Sequence, residues 1–121
     1  EMRAVADEYA AAVEAHGWDG AWYRRAYFDD GAPLGSATSD ECRIDAIAQS
    51  WGVISGAAQA QRAQKAMESL ERHLLSQDPP LAKLFTPPFD RSVQEPGYVK
   101  AYPRGSRVNG GQFRKCLHRL C

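Results

Sequence analysis

The sequence predicts a mainly α chain: about three helices, a short β-hairpin and long irregular loops. Three observations lead there. Apolar residues recur at helical spacing through the first 75 residues. One aromatic segment with extended character closes on an Asp-Asp-Gly turn. Residues 76–113 are rich in Pro, Gly and aromatics and carry almost no periodicity.

The first helix follows from Met2, Val5, Ala6, Tyr9, Ala12 and Val13, which share one face. Its start, Glu1-Met2-Arg3-Ala4, reads as the middle of a helix cut open. Gly17, after His16, supplies a left-handed C-terminal stop. Trp22 to Phe28 then forms a hairpin arm, with Asp29-Asp30-Gly31 as its turn. Asp45 is placed to cap a second helix, whose face is Ile47, Ala48, Trp51, Ile54 and Ser55, with Trp51 in the core. Gly56 ends it. A third helix spans about Gln59 to Leu75, with Ala63, Met67, Leu70 and Leu74 as its stripe. Glu68 and Arg72 make an i, i+4 surface pair, and Asp78-Pro79-Pro80 stops the helix. Phe85, Phe89, Tyr98 and Tyr102 mark the irregular stretch as a packed loop. The helical faces are wide and Ala-rich, so three such helices alone would expose apolar surface and self-associate.

Lys plus Arg and Asp plus Glu are 15 each, so the formal net charge is zero. This excludes the electrostatic footprint of a nucleic-acid partner. No apolar run approaches the roughly 20 residues that span a bilayer, so direct membrane insertion is not expected. Three cysteines without a shared pattern fit a reducing compartment or incidental thiols, in a cytoplasmic or soluble fragment. Cys116, His118 and Cys121, with the distant Cys42, match no closed zinc pattern, and no metal or other cofactor is expected.

Three ordered blocks carry a resemblance. The first is Gly17-Trp18-Asp19-Gly20-Ala21-Trp22-Tyr23-Arg24-Arg25-Ala26-Tyr27-Phe28-Asp29-Asp30-Gly31, closed by Pro33-Leu34-Gly35-Ser36. The second runs Glu41-Cys42-Arg43-Ile44-Asp45-Ala46-Ile47-Ala48-Gln49-Ser50-Trp51. The third begins Leu84-Phe85-Thr86-Pro87-Pro88-Phe89-Asp90 and continues through Pro96-Gly97-Tyr98 to Asn109-Gly110-Gly111-Gln112-Phe113. In this order they resemble the glycoside hydrolase family 94 region of cyclic β-1,2-glucan synthases, a family that includes cellobiose and chitobiose phosphorylases. The resemblance covers residues 1–113 as a fragment of that catalytic domain. Residues 114–121 are unlike it and read as a frameshifted or truncated tail.

The resemblance implies a partial (α/α)6 toroid and phosphorolysis of a β-glucosidic bond with inversion. One carboxylic acid would protonate the leaving oxygen, and inorganic phosphate, a co-substrate rather than a cofactor, would attack from the opposite face. The implied partner is a β-glucan oligosaccharide, and the full-length relatives are implied to be inner-membrane proteins. The family's general acid lies in an Asp-Trp-Asn-Asp motif that this chain does not contain, so no catalytic residue is expected here. Val108 and Lys115 stand where the family has a Glu near the acceptor and a phosphate-side His. Inactivity alone is therefore expected, and the alternative is a small helical carbohydrate-binding or protein-interaction module without catalysis.

Four residues are the candidate substrate-binding set: Arg25, Tyr27, Gln49 and Gln112. Trp22, Tyr23, Arg25 and Tyr27 suggest an aromatic sugar platform with an Arg donor, against the simpler alternative that the rings bury in the core. Gln49 is placed to reach a barrel interior. Gln112 follows two glycines that allow close backbone approach, and the family resemblance sets it by the glycone sugar. Asp29, Asp30, Glu41 and Asp45 form a set of carboxylates, of which turn and cap roles explain Asp29, Asp30 and Asp45 before any acid/base role.

Overall fold

The computed structural model describes residues 1–112. The expectations for Lys115, for Cys116, His118 and Cys121, and for the 114–121 tail lie outside the described residues. The described chain is mainly helical, with three helices and three two-stranded antiparallel sheets.

Helix α1, Met2–Ala12, continues into a π-helical turn, Val13–Gly17. No residue of α1 is buried. Its stripe exists but faces outward, with Met2 89% and Tyr9 68% exposed. Gly17 is not the left-handed cap that the sequence predicts. It ends a wider helical turn and packs close to Val13 and Tyr23, and Trp18 then turns extended (ψ 127°).

A tight loop follows. Asp19 N–H donates to the Trp22 carbonyl and Arg24 N–H to that of Gly17, with Gly20 at φ +92°. Strand β1, Ala26–Tyr27, pairs with β2, Pro33–Leu34, with Ala26 opposite Leu34 and Tyr27 opposite Pro33. The expected turn is present: Asp30 Oδ1 accepts from Ala32 N, and Gly31 adopts φ +82°. At the hairpin base the close approach of chains requires glycine. A Cβ on Gly35, itself at φ +83°, would lie 2.7 Å from Arg25 N.

Strand β3, Ile44–Asp45, runs directly into helix α2, Ala46–Ile54. The cap is as expected, since Asp45 accepts from Ile47 N and Ala48 N. The buried face is not. Ala46, Gln49 and Ser50 face inward, while Trp51 is 59% exposed and Ile47 and Ile54 stay outside. Hydrophobicity chose the wrong side because Gln49 is bound to buried backbone, and those hydrogen bonds set the helix rotation.

Helix α3, Ala60–Leu74, buries Ala66, Ser69, Leu70 and Leu74. The Glu68–Arg72 pair does not form: Glu68 accepts instead from Gln64 at 3.0 Å. The chain leaves the helix before the Pro-Pro pair, into a second hairpin that sequence periodicity did not reveal. Strand β4, Leu75–Gln77, pairs with β5, Pro80–Ala82, around Asp78-Pro79. Strand β6, Phe85–Thr86, then returns to pair with β3, and a 3-10 turn, Gly97–Ala101, sits in the long loop.

Two apolar clusters hold this together. Trp22, Ile44, Ala46, Leu70 and Leu74 join the first hairpin, α2 and α3. Cys42, Leu84, Phe85, Phe89 and Val99 anchor the long loop, and Val108 packs against them. The loop is packed as expected at Phe85 and Phe89, but Tyr98 is 72% exposed. Among the described residues no helix is long and apolar enough to cross a membrane.

Candidate functional site

The base of the first hairpin, the start of α2 and the Asn109–Gln112 segment are tied by a continuous run of hydrogen bonds. Arg25 Nη1 donates to Asp45 Oδ2 at 2.7 Å. Ala46 N donates to the Leu84 carbonyl, and Leu84 N to the Gly111 carbonyl, both at 2.8 Å. Gln112 forms a backbone bridge with Lys83 and its side chain is exposed. Arg25 and Gln112 therefore belong to one framework centred on the first turn of α2, with the Arg25 side chain 35% exposed.

The electrostatics of that framework are set by burial. Asp45 is fully buried, and burial pushes its carboxyl above the ordinary 3.8, only partly offset by Arg25 and the two helix N–H donors. Cys42, buried in the same place with φ 49°, is pushed up to about 12 by burial and by the Asp45 charge. Its thiol stays protonated and unreactive at neutral pH.

The other sequence-predicted residues sit elsewhere. The Tyr27 hydroxyl donates to the His16 carbonyl at 2.6 Å and accepts from Arg24, so the ring turns toward the end of the π-helical turn. It remains 48% exposed. Gln49 corrects the expectation most clearly. It is fully buried, its Oε1 accepts from Tyr23 N, and its Nε2 donates to the Tyr23 and Asp45 carbonyls. It clamps the hairpin to α2 and faces no open space. Of the aromatic platform, Trp22 and Tyr23 are core. The Trp22 indole donates to the Gly35 and Arg43 carbonyls. The Tyr23 hydroxyl donates to Glu14, which also accepts from Arg62 and from Gln59 N.

The structural roles of three polar residues were missed. Asp19 accepts from Arg24, Ser36 and Ala37 N, fixing the hairpin base. Asn109, fully buried, accepts from Phe89 N and donates to the Phe89 and Tyr102 carbonyls. The Asn-Gly-Gly sequence was its only signal. Glu41 accepts from three successive backbone N–H groups, those of Asp90, Arg91 and Ser92, at 2.8–3.0 Å. No local pattern announces a carboxylate that binds a loop some 50 residues away.

Burial pushes the Glu41 carboxyl up, but the three donors outweigh it and hold it below 4.5. A carboxyl lowered on folding adds stability above its unfolded value, lost as pH falls through the folded one. Glu41→Gln should cost about 2 kcal/mol at pH 7 and flatten the loss of stability on acidification below 4.5. Urea midpoints measured from pH 7 to pH 3 check both.

Comparison with known proteins gives a consistent result. The model for the catalytic domain of the glycosyl hydrolase 94 superfamily matches residues 1–118. The chain is 51% identical over 102 residues to the cyclic beta-(1,2)-glucan synthase NdvB of Rhizobium meliloti (strain 1021), covering 84% of this chain and 4% of that protein. It is 34% identical over 113 residues to a solabiose phosphorylase of Paenibacillus borealis, covering 93% of this chain and 14% of the relative. An N,N'-diacetylchitobiose phosphorylase of Vibrio proteolyticus is 33% identical over 104 residues, covering 84% and 13%. The chain thus spans a small part of each relative.

Proposed function

The chain belongs to the glycosyl hydrolase 94 superfamily, as part of its catalytic domain, and we propose that it contributes sugar-facing framework to phosphorolysis of a β-glucosidic bond with inversion. The observation that carries this is the spread of the relatives. A glucan synthase and several disaccharide phosphorylases align over most of the same stretch. The chemistry their names share is transfer at a glycosidic bond.

In this reading Arg25 and Gln112 face the saccharide, Tyr27 is held against the π-helical turn away from them, and Gln49 holds the hairpin in place from behind. Inorganic phosphate is the co-substrate and a β-glucan oligosaccharide the partner. The general acid is not one of the carboxylates near the framework, since Asp19, Glu41 and Asp45 are already bound to neighbouring donors. That supports inactivity of the chain on its own. The outward stripe of α1 supports a place in a larger ring of helices, the (α/α)6 toroid, whose other members would cover it. Without them the same stripe favours self-association.

The test separates turnover from binding. The chain is incubated with sophorose or laminaribiose and inorganic phosphate, and glucose 1-phosphate is assayed. None should form, and formation would overturn the inactivity claim. Tryptophan fluorescence should still respond to the same sugars at millimolar concentration. A flat titration would remove the sugar-facing role.

A further inference from the structure

We propose that the tip of the first hairpin carries a saccharide-binding groove separate from the Arg25–Gln112 framework. The inference rests on the carbohydrate reading above, but on different residues. Two recesses open at the tip, with volumes of about 130 and 230 Å³, and both are lined by Phe28 and Gln94. They therefore meet along a common wall. Neither alone reaches the roughly 300 Å³ of a pocket that encloses a small ligand, so each recess takes only one edge of a sugar. One recess is closed by the 38–41 loop and Phe89, the other by Asp29, Asp30 and Glu95.

The lining divides by whether its polar groups are engaged. Glu41 is bound to three backbone donors, Asp30 to Ala32 N, and Glu95 to Gly97 N. Asp29, Asp40 and the Gln94 side-chain amide have no hydrogen-bond or ion-pair partner among the described residues. The groove thus presents two open carboxylates and one open amide beside the half-buried ring of Phe28. A pyranose fits this chemistry. Its C–H face packs on an aromatic ring, its paired hydroxyls donate to a carboxylate, and an amide can donate and accept at once. A bound divalent cation would need converging ligands, and no three His, Cys, Asp or Glu side chains gather that way among the described residues.

The tip lies three residues along the strand from Arg25, about 10 Å. A groove there would take a glucan unit beyond those held at the hairpin base. Backbone amide NMR of the whole chain, titrated with sophorose and with a longer β-1,2-gluco-oligosaccharide, tests this. Shifts at Asp30, Gly31 and Gln94 are expected. Asp40→Ala, at an exposed position, and Gln94→Ala, at a half-buried one, should each weaken the tip shifts roughly tenfold without altering the rest of the spectrum. Phe28→Ala should abolish them. Shifts confined to Arg25 and Gln112 would overturn the groove and leave the carbohydrate reading standing. No shift anywhere would overturn both. Calcium chloride giving the tip shifts while sugar does not would also overturn it.

Discussion

Replacing Asp45 by Ala should destabilise the fold by about 3 kcal/mol, read from urea denaturation at pH 7. Three losses coincide. The first turn of α2 loses the acceptor for Ile47 N and Ala48 N. Arg25 loses its partner at 2.7 Å. A small cavity opens at a position with no exposure. Arg25 is 35% exposed and can turn to water, which keeps the cost at the low end for a broken buried pair. Asp45→Asn should cost less than half as much. It retains the volume and the acceptor for the helix N–H groups, its amide NH2 turns Arg25 out to water, and burial already disfavours the charged form, which is why the carboxyl is raised above 3.8. The pH dependence has a definite sign. A raised folded value means that the folded chain holds the proton more tightly. Its stabilising contribution is complete below the unfolded value and is lost as pH rises through the folded one. Asp45→Asn should remove that fall, opposite in sign to the Glu41 effect.

The second large effect is expected at Asn109. Asn109→Ala leaves Phe89 N–H, the Phe89 carbonyl and the Tyr102 carbonyl without partners inside the protein. One unsatisfied buried group costs about 1–3 kcal/mol, so a loss of about 3 kcal/mol is expected even if water reaches one of them. Asn109→Asp should recover little. It can accept from Phe89 N but cannot donate, and it places a charge where exposure is zero. The loop around Phe89 should loosen first. Faster proteolysis between residues 90 and 107, with α3 still protected, would mark the local effect. Equal loosening everywhere would show that the clasp is global.

What sequence made legible here follows a physical division. Local rules worked: the Asp45 cap, the Asp29-Asp30-Gly31 turn and the stop at Gly56 each depend on residues within one turn of chain. Apolar periodicity located the helices but misjudged α2, where the Gln49 amide and the Tyr23 backbone decide which face is buried. The β4–β5 hairpin was invisible because its three pairs lie in a Pro-rich stretch without alternation. At the site, Arg25 and Gln112 are exposed, whereas the burial of Gln49 required knowledge of a partner 26 residues away. The roles of Glu41 and Asn109 were missed for that same reason. Their donors and acceptors are distant loop backbone, which no spacing rule encodes.

The pairing of β3 with β6 has a kinetic consequence. Ile44 meets Thr86 across about forty residues of intervening chain, and the closure is rewarded only once both strands and the flanking Cys42–Pro87 and Ala46–Leu84 backbone bonds come together. Bringing ends that far apart together costs roughly 3 kcal/mol of loop entropy before any contact forms. The Leu84–Gly111 and Glu41–Arg91 bonds must wait for it as well. Helix α3 can form early, on its own local contacts, while the framework around Arg25 and Gln112 assembles in the last step. Slow folding for the chain's helix content is therefore expected, with the rate set by the meeting of distant loops.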